Sequence, residues 1–228
     1  MRSSLLLALA LLPAVAMNAN AQNPNPQDPV YVVSYIEAAP SSHTSVANAL
    51  KQLATASRKD DGNMRYEILQ RTAPGNQFAI VSTWKNQAAY DAHATAAHTK
   101  EFRDKNRPHL ISAIDDRAHN ALEIGAADLK GAPGAIYVVT HVDVPPPRKD
   151  ECIAALKALV ADSRKEANAV RFEVFQQTSR PNHFTVVEVW KSEKAYDDHI
   201  TAPHTIKFRD QLTPMSGALY DERLYKAM

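Results

Sequence analysis

Residues 84–104, WKNQAAYDAHATAAHTKEFRD, return with most of their landmarks kept as residues 190–210, WKSEKAYDDHITAPHTIKFRD. Trp84, Tyr90, His93, His98 and Phe102-Arg103-Asp104 each have a counterpart 106 positions on (190 − 84): Trp190, Tyr196, His199, His204 and Phe208-Arg209-Asp210. The offset extends outward without an insertion. Tyr31-Val32-Val33 matches Tyr137-Val138-Val139, and 35 of the 92 positions from Tyr31 to Leu122 are identical to their partners. A period of about a hundred residues is too long for a solenoid and fits a complete small domain. The chain carries one domain twice, over residues 30–124 and 136–228, and each copy reports on the other.

Within a copy the pattern reads β-α-β-β-α-β. Val30 to Ala38 and Ile136 to Val144 are rich in β-branched and aromatic residues and stop before proline. Val46, Leu50, Leu53 and Ser57 then recur at helical spacing, matched by Cys152, Leu156, Leu159 and Ser163. Strands are expected at 64–72 and 77–84 around Ala73-Pro74-Gly75-Asn76, and at 170–178 and 183–190 around Ser179-Arg180-Pro181-Asn182. A helical region starts near Asn86 or Ser192 and breaks near Thr95 or Thr201, because Pro203 suits the first turn of a new helix. Closing strands fall near 114–123 and 219–226. This order predicts an α+β fold: two ferredoxin-like βαββαβ domains, each an antiparallel sheet with its helices on one face. The bare faces need a cover, so the two sheets should pack together as an intramolecular pseudo-dimer, with further oligomerisation left open.

Bulk properties narrow the function. Lys plus Arg number 26 against 25 Asp plus Glu, and no Lys/Arg run of a phosphate-reading kind occurs, so nucleic acid is not an expected partner. Arg2, the apolar stretch Leu5 to Met17 and Ala19-Asn20-Ala21 have the layout of a secretory signal over residues 1–21, cleaved after Ala21. The apolar run is short for a bilayer span, so stable membrane insertion is not expected and export to the periplasm is. Residues 22–29 form a polar, proline-rich lead-in expected to be disordered, and 125–135 a Gly/Ala-rich linker. The single cysteine, Cys152, has no partner for an internal disulfide, and its counterpart Val46 marks it as a small core residue.

The spacing Trp84-x5-Tyr90-x2-His93-x4-His98-x3-Phe102, led by Phe78-x5-Trp84 and repeated from Phe184 to Phe208, resembles the antibiotic biosynthesis monooxygenase (ABM) family. This dimeric α+β barrel superfamily includes quinol monooxygenases that use no cofactor, and haem-degrading enzymes. The resemblance implies that Trp84 with Tyr90, and Trp190 with Tyr196, hold a flat phenol or quinol; closing the core is the other reading of each pair. An Asn found four residues before the Trp in some active members is replaced here by Ile80 and Val186. The haem-degrading branch uses an Asn on the first strand and a Trp and a His on the second helical segment. Ser34 or Thr140, His93 or His199, and Arg103 or Arg209 stand at those positions, so haem degradation is not expected.

His98 and His204 fall in the first turn of a new helix, where the dipole favours neutral imidazole, and are candidate general bases; a capping or core role is the alternative. His93 and His199 are candidate binding residues. Spacing of five does not suit a metal pair on a helix, so no metal is expected. If hairpin register pairs Arg65 with Trp84 and Glu67 with Ser82, then Arg65, and likewise Arg171 with Glu173 and Glu188, line a polar pocket beside the tryptophan or form a salt-bridged seam between the sheets. The expected activity is oxygenation of a small aromatic, a quinol or polyphenol, by O2 without metal or flavin. The competing expectation is a non-catalytic small-molecule-binding or stress-response module.

Overall fold

The computed structural model describes residues 25–125 and 134–228. The leader expected at 1–21, part of the lead-in and most of the linker lie outside the described residues. The first copy runs β1 (Val30–Glu37), α1 (His43–Ser57), β2 (Asn63–Arg71), β3 (Gln77–Trp84), α2 (Gln87–Thr95), α3 (Ala97–Asn106) and β4 (Asp115–Glu123). The second runs β5 (Ile136–Asp143), α4 (Lys149–Ser163), β6 (Ala169–Gln177), β7 (His183–Trp190), α5 (Glu193–Ile200), α6 (Pro203–Leu212) and β8 (Asp221–Ala227). Among the described residues no helix is long and apolar enough to cross a membrane.

Helix boundaries follow local chemistry. Asn86 Oδ1 accepts from the Ala89 amide at 3.0 Å and Ser192 Oγ from Ala195 at 3.1 Å, capping α2 and α5 at their starts. Extended backbone at Ala96 (ψ 149°) and Ala202 (ψ 144°) then separates α2 from α3 and α5 from α6. In the second copy Pro203 opens the new helix, its missing N–H costing nothing in a first turn.

The expected face-to-face sheets are joined into one closed antiparallel barrel, in the order β1-β3-β2-β8-β5-β7-β6-β4. Closure comes from the last strand of each copy. β4 pairs with β1 and then, from His119 to Glu123, with β6 of the other copy; β8 pairs with β5 and, from Tyr225 to Ala227, with β2. Neither sheet keeps an open edge at these seams. The chain is thus an intramolecular dimeric α+β barrel. Alternation along the strands splits the core in three: Tyr31, Val33, Leu69, Val81, Tyr137, Phe175 and Tyr225 fill the barrel, while Trp84 and Trp190 anchor separate clusters beneath each copy's helices. Cys152 is fully buried on the inner face of α4, and burial pushes its thiol up to about 12, so it stays protonated.

The β2–β3 register differs by one residue from the expectation. One register runs from Gln70–Phe78 to Arg65 and sets Arg65 opposite Thr83 and Glu67 opposite Val81; a bulge follows between Arg65 and Asn63, and both features recur in the second copy, with the bulge between Ala169 and Arg171. One step of slip reverses the face. Arg65, Glu67, Arg171 and Glu173 therefore point into the barrel, whereas Ser82, Trp84, Glu188 and Trp190 point to the helices. Inside the barrel Arg65 Nη1 donates to Glu173 Oε2 at 2.8 Å, and Arg171 Nη2 to Glu67 Oε2 at 2.8 Å. The arginines tie one copy to the other.

Candidate functional site

In the first copy, α2 and α3 do not close completely on the sheet. Between them lies a cavity of about 20 Å³, lined among others by Ser34, Tyr66, Ser82, Tyr90, His93 and Asp116. That is space for about one water. Its polar end is fixed by Asp116, which accepts from Ser34 Oγ at 2.6 Å and Arg103 Nη2 at 2.7 Å. Tyr90 lines one wall, and burial pushes its phenol up to about 12, so it acts as a neutral hydroxyl.

His93 is held on three sides. Its ring stacks on Trp84 (centroids 4.4 Å apart, planes at 25°), its Nδ1 lies 2.7 Å from Asp60 Oδ2, and Thr99 Oγ1 approaches the same nitrogen at 3.4 Å. Asp60 belongs to the turn after α1, which packs closely on α2 at Gly62. That glycine has φ +78°, and a Cβ on it would stand 2.6 Å from Ala89 Cβ. With Nδ1–H given to the carboxylate, Nε2 is the nitrogen left to accept a proton. Burial is the main influence on this imidazole and pulls its pKa below the ordinary value despite Asp60, so the ring is neutral near pH 7.

His98, the base expected from sequence, stands elsewhere. Its Nε2 lies 3.1 Å from the same Asp60 Oδ2, it is more exposed than His93, and it does not line the cavity. The break between α2 and α3 explains the meeting of the two rings. On a continuous helix a spacing of five would turn them about 140° apart; the extended residue at Ala96 brings their centroids to 5.6 Å, around one carboxylate. Trp84 is fully buried and backs His93 without lining the cavity. Arg65 is on the opposite face of the sheet.

The model of the family described as antibiotic biosynthesis monooxygenase matches residues 29–105 and 135–211. The chain belongs to this family. It is 28% identical over 101 residues to "Uncharacterized protein sll1783" of Synechocystis, covering 44% of this chain and 69% of that protein. It is 26% identical over 86 residues to "Putative monooxygenase YcnE" of Bacillus subtilis, covering 38% of this chain and 90% of that one. Among solved structures, "Putative monooxygenase (FN1347)" of Fusobacterium nucleatum superposes with a TM-score of 0.78 at 16% identity, over 88% of this chain and 92% of that chain. An anthrone oxidase-like protein superposes at 0.71 with 13% identity, over the same shares. At these identities the structural likeness shows the fold.

The second ABM copy repeats the scaffold and changes the space. Trp190 stacks on His199 at 4.4 Å, and Glu166 Oε1 takes His199 Nδ1 at 2.7 Å and His204 Nε2 at 2.9 Å. Yet Ser34, Ser82, Ala94, Ile114 and Asp116 are replaced by the larger Thr140, Glu188, Ile200, Tyr220 and Glu222. Glu188 is buried, accepts from Trp190 Nε1 at 2.8 Å and lies 3.7 Å from His199 Nε2. A carboxyl group thus stands beside His199 Nε2 where the first copy has the smaller Ser82. Burial pushes Glu188 up to about 8, so it is mostly protonated near neutrality. Tyr196 is buried, and Arg171, like Arg65, is inside the barrel.

Sequence reasoning missed Asp60 and Asp116, and placed Ser82 only opposite Glu67 in a strand-paired cluster. A signal existed for the first: an acid recurs at both 60 and 166, 33 positions before the histidine it holds. Asp116 gave none, because its role depends on a cavity that only packing defines.

Proposed function

We propose that the first ABM copy is a cofactor-independent monooxygenase site for a small phenol or quinol, and that the second is its filled, structural counterpart. The observation that carries this reading is the Asp60–His93 pair beside an unfilled space whose far wall is polar. His93 Nε2 takes the phenol proton, and Asp60 holds the resulting imidazolium. The phenolate, now electron-rich, is itself the reductant for O2. One oxygen atom enters the substrate, and the other leaves as water with the two hydrogens the substrate gives up. Tyr90 and the Ser34–Asp116–Arg103 group offer hydrogen-bonding partners to the remaining oxygens of the ligand. The cavity is smaller than an aromatic ring, so binding requires α2 and α3 to move away from the sheet.

That small volume also favours a second reading, a binding module without turnover. Oxygen uptake with a panel of reduced naphthoquinols and polyphenols separates the two. Turnover should fall by about 10²–10⁴-fold in His93→Gln, the range for removing a general base, and should vanish in Ser82→Glu, which copies the filled second site. His98→Ala should cost less than His93→Gln. Ligand-dependent quenching of tryptophan fluorescence without O2 uptake across the panel would select the binding module. Export rests on residues 1–21 alone; a secreted chain beginning at Gln22 is the expected product.

A further inference from the structure

Three groups of histidine and carboxylate occur among the described residues: Asp60 with His93 and His98, Glu166 with His199 and His204, and His141 with Asp143 and His183. The first two are copies of each other and belong to the sites above. The third has no counterpart. The equivalent positions in the first copy hold Tyr35, Glu37 and Gln77, where Gln77 Nε2 donates to Glu37 Oε1 at 3.0 Å. All three positions have diverged, and the second copy has gained two imidazoles beside a retained carboxylate.

Geometry distinguishes this group from the other two. His141 and Asp143 are two apart on β5 and share a face, and His183 on β7 is paired directly with Asp143. The three side chains rise together from two hydrogen-bonded strands, a rigid base for ligands. His141 Nε2 lies 2.9 Å and His183 Nδ1 2.7 Å from one oxygen, Asp143 Oδ1. Neither contact has hydrogen-bond alignment: Asp143 Oδ1 is buried and unpartnered, whereas Asp60 and Glu166 accept aligned hydrogen bonds from their histidines. One ligand-type atom from each of the three side chains thus lies within 4.8 Å of the other two.

We propose that His141, Asp143 and His183 bind a divalent transition-metal ion such as Zn²⁺. Two imidazoles and a carboxylate are a donor set suited to such ions, and side chains left 17–18% exposed leave room for water to complete the coordination. The neighbouring cations are already matched. Arg117 Nη1 donates to His141 Nε2 at 3.1 Å, a hydrogen bond that an incoming metal ion displaces, while its Nε and Nη2 stay on Asp115; Arg223 is paired with Asp221. Asp143 therefore supplies the negative charge that faces the ion.

The experiment titrates the full, tag-free chain, stripped with chelator, with Co²⁺ alone, reading visible absorbance, followed by displacement with Zn²⁺. One equivalent should bind. Affinity should fall more than about tenfold in His183→Gln and in the triple variant H141Y/D143E/H183Q, which restores the residue set of the first copy. It should persist in Asp60→Asn combined with Glu166→Gln, with circular dichroism showing each variant folded. Unchanged binding in folded His183→Gln, loss in the Asp60/Glu166 variant alone, or no binding at micromolar metal would each overturn the site. The readout is independent of turnover, so the proposal stands or falls apart from the monooxygenase reading.

Discussion

Glu188 stands where the first copy has Ser82 at the edge of its cavity, and the cost of that exchange depends on pH. An unfolded glutamate titrates near 4.5 and the folded one near 8, so between these values the native state holds a proton that the unfolded state has lost. Stability falls as pH rises through this window, by on the order of 5 kcal/mol once pH exceeds the folded value. Glu188→Gln keeps the shape and can still accept from Trp190 Nε1. Its melting temperature should match that of the parent near pH 4.5 and exceed it by a widening margin up to pH 8; a gap that stays flat would show that Glu188 is not neutral in the fold. His93 runs the other way. Its pKa is depressed, so the neutral base is present above that value. For a substrate whose turnover depends on His93, kcat/KM should hold through pH 7 and decline only below the ordinary imidazole range. A decline centred at or above 6.5 would argue that another group is the base.

The strands and helices were legible because their signals are local. Asn86 and Ser192 cap where polar residues precede helical pattern, and Pro203 marks the α5–α6 break that brings His199 and His204 together. The β2–β3 register was not legible, because every pair from Gln70–Phe78 to Arg65–Thr83 stands one step from the expected pairing and the hairpin loop carries no signal that separates the two registers. That single step sends Arg65 and Arg171 into the barrel and separates them from Trp84 and Trp190. There they meet acids of the opposite copy, a seam that was one of two sequence readings. Glu173 is 2% exposed and sits between Arg65 Nη1 (2.8 Å) and Arg171 Nε (3.6 Å). Glu173→Ala should therefore cost about 3–5 kcal/mol in urea unfolding, since it strands buried charge. Replacing Arg65 and Glu173 together with methionines should cost much less. Equal losses in the single and double variants would mean that the pairing is not what Glu173 provides.

Duplication is built into the barrel and not merely joined by it. β4 and β8 each hydrogen-bond to strands of both copies, so a single copy released as a monomer would expose the edge of β2 and half of β4 and uncover Tyr31, Val33, Leu69 and Val81. An apolar sheet face with unpaired edges demands a partner. A second first copy can supply it. The elements that cross the seam are self-complementary: Arg65 and Glu67 recur as Arg171 and Glu173, so Arg65 of one subunit could meet Glu67 of another as it now meets Glu173. Tyr31 likewise recurs as Tyr137. Residues 25–125 expressed alone should therefore elute as a homodimer by light scattering, and dilution should lower the melting temperature because folding and association are linked. The dimer would carry two copies of the Asp60–His93 cavity and neither Glu188 nor the His141–Asp143–His183 group. A folded monomer with a concentration-independent melting point would show that the closing strands contribute little, and that each copy covers its own inner face in some other way.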